Sequence, residues 1–150
     1  MTLALLLHLI AATLWVGGMF FALWIVRPSA LNLELPLRVE LWSGILTRFM
    51  VVVWACVITL PITGYWMIFS GFGGMTNVGR HIHVMEGLGW IMIIIFVVIF
   101  FRDFRAMRHM TRELLYPEAG LYIERLRKLV NINLILGLIN VAVAGAGRYW

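Results

Sequence analysis

Two stretches of the chain repeat one arrangement: His8-Leu-Ile-Ala-Ala-Thr-Leu-Trp15 and His83-Val-Met-Glu-Gly-Leu-Gly-Trp90. In each, a histidine stands seven residues before a tryptophan, small residues lie between them, and a long apolar run follows. Seven residues make about two helical turns, so histidine and tryptophan share a helix face. Imidazole is a ligand for metal ions and for haem iron. Titratable side chains inside an apolar run are costly and usually mark a site. If the two runs are the first and third spans of a membrane protein, they point the same way through the bilayer. The two imidazoles then lie at similar depth, as a metal ion or haem held between two helices requires.

Other residues gather around this pair. Glu86 is the only acidic residue inside a predicted span. It is expected to orient His83 through a hydrogen bond, to handle a proton, or to pair with Arg80 or Arg148. Arg80 and Arg148 suit haem propionates, with snorkelling at the interface as their plainer role. Met85 offers a thioether beside His83, and thioether with imidazole suits Cu(I); most of the other methionines read as apolar filler. His81 falls at the water boundary, as a third ligand or a surface residue. His109 lies among arginines and reads as solvated. Ala11, Ala12 and Gly87 leave room for a flat ligand or allow close helix packing. Trp15 and Trp90 are expected to pack beneath a bound haem. Pro61, followed by Thr63 and Gly64, lies near the depth of His8 and is expected to kink its span. Asn133 and Asn140 read as glue between helices.

The elements that must hold these residues are membrane helices. Of the 150 residues, 63% are hydrophobic and 13% charged, about half the charged share of a soluble domain. The chain reads as one domain, 1–150, with spans at about 2–26, 48–69, 82–101 and 129–147, each near the ~20 residues that a bilayer requires. The fold expected is all-α: an up-down-up-down four-helix transmembrane bundle with spans one and three as diagonal partners. Cys56 is the single cysteine, which excludes an intrachain disulfide. The N-terminal run lacks a basic leader and is too long for a cleavable signal.

Ten of the twelve Lys and Arg residues fall in 27–48 and 102–128. The positive-inside rule therefore places both termini and 70–81 on the outer side, the periplasm of a bacterial inner membrane. The net charge of +5 is concentrated beside the spans, which points to anionic lipid and away from nucleic acid. Segment 102–128 is expected to form an interfacial helix on the inner leaflet, broken at Pro117 and Gly120, and then to extend span four.

The residues from His8 through Gly17-Gly18-Met19, Arg27-Pro28, Thr63-Gly64-Tyr65, His83-Val84-Met85 and Leu129-Val130-Asn131-Ile132-Asn133-Leu134 resemble the CopD-type copper-resistance membrane domain. The resemblance runs over nearly the whole chain and implies a helical inner-membrane protein tied to copper handling, in a short, stand-alone version. The chain is also, more weakly, similar to the HemJ-type haem-binding membrane proteins, which carry a histidine early in span one. That family has a lysine near the Met85 position, so this similarity implies haem binding through His8 rather than porphyrin oxidation.

The reading favoured on these grounds is a cytochrome-b-type membrane oxidoreductase. His8 and His83 would ligate haem b, and electrons would pass between the quinone pool and an outer acceptor. The alternative is copper binding or transport through His8, His83, Met85 and His81, with a periplasmic copper partner. A third is an assembly subunit without cofactor, in which the histidines only pack. A homo-oligomer is compatible with all three.

Overall fold

Apolar runs in a bilayer become helices because no water is present to satisfy exposed backbone groups. The computed structural model describes residues 1–149 apart from the Arg148 side chain; that side chain, expected to meet a haem propionate, and Trp150 lie outside the described residues. Four helices are long and apolar enough to cross a membrane: α1 (Thr2–Ala30), α2 (Leu35–Gly71), α3 (Arg80–Arg112) and α4 (Tyr116–Ala146). No strand occurs among the described residues, and the protein is an all-α four-helix membrane bundle.

The helices run further at the arginine-rich end than hydropathy alone indicates. α2 begins at Leu35 rather than near 48, α3 continues through Arg102 to Arg112, and α4 begins at Tyr116 rather than near 129. Segment 102–128 forms no separate helix: its first part continues α3, and its second part is the expected extension of span four. Charge erases the apolar signal without breaking the helical backbone, and packing keeps these extensions folded. Met107, Ala119 and Leu126 are buried there, and the Tyr116 hydroxyl donates to Glu40 Oε1 at 2.9 Å. The break expected at Pro117 falls just before it, at 113–115, and Pro117 itself is helical. It sits in the first turn of α4, where a missing N–H costs nothing, and Gly120 lies within the helix.

Between α2 and α3, Gly73 and Gly74 adopt φ of 74° and 121°, which L side chains rarely adopt. Between α3 and α4, Leu114 takes φ 59° and the Leu115 N–H reaches the Met110 carbonyl at 2.9 Å. This is a helix-ending motif that usually employs glycine.

α1 and α3 each contain one wide turn near that same end, at Ala22–Val26 and Ile99–Phe104. There the Arg27 N–H bonds the Ala22 carbonyl and the Arg105 N–H the Phe100 carbonyl, five residues back instead of four. The α3 turn carries Asp103, fully buried and paired to Arg102 at 2.9 Å. The sequence pattern reads Arg102-Asp103 as the end of a span; instead Asp103 is a second acid inside the helical bundle.

α1 packs chiefly on α2, and α3 on α4, with further contacts between α2 and α4 and between α1 and α4. Trp15, Trp54 and Phe96 meet edge to face at the centre, where the Phe96 ring lies 6.2 Å from Trp15 and 5.2 Å from Trp54. Gly137 is where three helices converge: a Cβ there would stand 2.9 Å from Val16 and 3.1 Å from Met92. On α3 the buried positions are Met92, Phe96, Ile99, Asp103, Phe104 and Met107, whereas Val84, Trp90, Ile91 and Ile94 form an outward stripe, as suits a helix against lipid.

Candidate functional site

The candidate site is the bundle end formed by the starts of α1 and α3 and the ends of α2 and α4. The Met1 side chain rests on Gly71 there, and His81 rests on Gly147. His8 is half-buried, with Nδ1 2.9 Å from Oγ1 of buried Thr63. The Thr63 hydroxyl donates to the Thr59 carbonyl at 2.7 Å, with the Leu60 carbonyl at 3.2 Å. A hydroxyl has one hydrogen to give. Thr63 spends it on its own helix, so its oxygen accepts from the His8 Nδ1–H. Donor bookkeeping thus assigns the tautomer, and the lone pair lies on Nε2. Gly64 lies against the ring: a Cβ there would stand 3.5 Å from the His8 ring, in ordinary van der Waals contact.

Tyr65 lies two positions beyond Thr63, about 200° further round the helix, and it reaches the opposite neighbour. Its hydroxyl donates to Glu86 Oε1 and accepts from Trp90 Nε1–H at 3.1 Å. Glu86 and Trp90 are one turn apart on α3, which lets both meet a single hydroxyl. The Thr63-Gly64-Tyr65 segment therefore holds α1 through an imidazole on one side and α3 through a carboxylate on the other.

Tyr65 was not among the candidates read from the sequence. The expected partners of Glu86 were His83, Arg80 and Arg148, and spacing within one span does not reveal which neighbour a side chain meets. Tyr65→Phe removes the donor from Glu86. It is expected to destabilise the bundle by about 1 kcal/mol, the net worth of one such bond, measured as a shift in thermal unfolding midpoint. An unchanged midpoint would mean that the contact contributes nothing to stability.

His83 lies on the outward stripe of α3, exposed, with no hydrogen bond among the described residues. The structure does not bring it to His8, which is turned against α2. Trp15 is buried deeper in the bundle, while Trp90 is 45% exposed beside Tyr65, so the two tryptophans do not floor one pocket. A bis-imidazole haem needs both nitrogens on one iron from opposite faces, and His8 and His83 in this arrangement do not fit that group. Arg80 is exposed.

His81 and Met85 share one face of α3. They are one helical turn apart, so their side chains are neighbours. Both are half-buried. His81 packs on Gly147, just past α4, and the Met85 carbonyl accepts from Asn140 Nδ2 at 3.3 Å. The expected gluing role of Asn140 is thereby seen. Imidazole and thioether side by side form a soft donor pair suited to Cu(I). Among the described residues, no group of three or more His, Cys, Asp and Glu side chains clusters as a metal site.

No curated protein and no solved structure matches the chain. Residues 43–146, which include Thr63-Gly64-Tyr65, His81, Met85 and Glu86 but begin after His8, match the family described as Copper resistance protein D. With the match covering most of α2 and all of α3 and α4, the chain belongs to the CopD family of membrane proteins.

Proposed function

We propose that the protein takes up copper as Cu(I) at the bundle end that carries His8, His81 and Met85. The observation that carries this reading is the His8–Thr63 bond. A metal-binding histidine characteristically donates its second ring N–H to a fixed acceptor, which sets the tautomer and the ring direction. Thr63 provides that acceptor and leaves Nε2 free as a donor. The His81–Met85 pair adds the soft chemistry that Cu(I) prefers over hard divalent ions, and the family description supports copper as the cargo. Glu86 and Trp90, both bonded to the Tyr65 hydroxyl, fix α3 in rotation so that His81 and Met85 face α4. In this reading His83, on the lipid-facing stripe, receives or passes copper at the surface and is not a partner to His8.

The test is competition for Cu(I) between a chromophoric chelator and the purified full chain. His8→Ala is expected to lower affinity at least tenfold. Thr63→Val should lower it about 10- to 100-fold with the fold retained, the range seen when the group that orients a ligand is removed. His109→Ala should leave it unchanged. Unaltered affinity in His8→Ala would overturn the reading. A Soret band in protein from its native membrane, lost in both His8→Ala and His83→Ala, would restore haem b.

The copper-bearing end faces outward in this proposal, with both termini in the periplasm of a bacterial inner membrane. Anionic lipid then lies against the basic extensions of α3 and α4 and a periplasmic partner supplies copper. The support is the ten-to-two distribution of Lys and Arg between the two ends. A reporter active only in the cytoplasm, fused after Trp150, is expected to be silent; strong activity would invert the orientation.

A further inference from the structure

The opposite end of the bundle holds a cavity of about 320 Å³ between α1, α2 and α4, at the small end of the ligand-pocket range. Its depth is apolar, lined by Leu23, Leu46, Met50 and Val130, and its mouth carries Arg27, Arg38, Arg127 and Glu124. Arg127 and Glu124 satisfy each other at 2.7 Å. Arg27 and Arg38 do not: both are half-buried, and neither makes an ion pair or hydrogen bond among the described residues. Two half-buried guanidinium groups with no ion pair or hydrogen bond among the described residues, beside an apolar slot, are an incomplete arrangement.

We propose that this cavity is a binding site for one anionic phospholipid, with its phosphate between Arg27 and Arg38 and an acyl chain in the slot. Guanidinium groups match phosphate with paired hydrogen bonds. A neutral quinone would fill the slot but leave both charges unmatched. A free phosphate would answer the charges and leave the slot unfilled. The site lies at the level where α1 leaves the apolar run at Arg27-Pro28, the level at which a bilayer lipid carries its headgroup, with its acyl chains toward the apolar depth. This is a single pocketed lipid, distinct from the diffuse attraction of the basic extensions, and it does not depend on the copper reading.

The test is native mass spectrometry of the detergent-purified full chain titrated with phosphatidylglycerol, with phosphatidylcholine of identical acyl chains, and with glycerol phosphate. One phosphatidylglycerol is expected to bind at least tenfold more tightly than phosphatidylcholine, and glycerol phosphate not measurably. Arg27→Gln with Arg38→Gln should lower phosphatidylglycerol affinity at least tenfold, while Arg105→Gln with Arg125→Gln, which lie outside the cavity, should not. Equal binding of the two lipids overturns the proposal, as does retained affinity in the first double variant. Glycerol phosphate binding as tightly as the lipid would reduce the site to a plain anion site. Should the first double variant fail to fold, the wild-type preference between the two lipids decides alone.

Discussion

Phe96→Ala is expected to cost about 3 kcal/mol of bundle stability, the lower end of the range for truncating a buried phenylalanine. The lower end applies because a membrane helix separated from its partners stays in lipid, where the ring is as well solvated as in the core. What is lost is packing. Phe96 is 3% exposed and meets Trp15, Trp54 and Phe100. Aromatic pairs of this geometry are worth about 0.5–1.5 kcal/mol each, and their neighbours cannot all collapse into the void. The measurement is the unfolding midpoint in mixed micelles of increasing denaturing-detergent fraction. Ile94→Ala, two residues away but 61% exposed on the lipid-facing stripe, should shift it little. Similar shifts for the two variants would place Phe96 outside the core.

Gly137→Leu is the second large expectation, by overpacking instead of a cavity. A Cβ at 137 already stands 2.9 Å from a Val16 methyl and 3.1 Å from the Met92 methyl. Met92 can swing aside; Val16 is branched at Cβ and has little rotamer freedom. Leucine must therefore part α1, α3 and α4, at about 1–3 kcal/mol. Gly145→Leu is the control, because a Cβ there meets open space. The His8–Thr63 contact lies between α1 and α2 and should survive in folded Gly137→Leu, whereas parting α1 from α3 separates His8 from His81 and Met85 and is expected to lower Cu(I) affinity. Unchanged affinity in a folded variant would mean that His8 binds copper without the α3 pair.

The sequence reveals the four spans because apolar runs of that length admit no other solution in a bilayer. Its depth register also holds: His8 and Glu86 occur at one end of the bundle, with Thr63 and Tyr65 between them. Rotation about each helix axis was not legible. In a soluble helix the apolar stripe marks the buried face. A span is apolar all round, so Ile94 on the lipid side and Met92 in the core look alike in the sequence. The pairing of His8 with His83 assumed that two histidines at one depth face one another. His8 instead meets Thr63, and His83 joins Val84 and Trp90 on the outward stripe. His81 and Met85 were visible candidates, but their shared face gains meaning only once α4 is seen against it. Asp103 was hidden for another reason: beside Arg102 it looked like the solvated end of a span, and the wide turn tucks it inside.

Those two wide turns, Ala22–Val26 and Ile99–Phe104, act as phase absorbers. Each accommodates one residue more than a regular turn, so deleting that residue would let the helix close normally with everything beyond it at about its present angle, whereas the same deletion in a regular turn would rotate everything beyond by about 100°. Arg27, just past the α1 turn, would stay at the cavity, and the part of α3 beyond its turn would keep its face toward α4. The starts of α1 and α3, upstream of both turns, would be undisturbed as well. The two turns are thus places where the chain can shorten by one residue without re-aiming the faces at either end of the bundle.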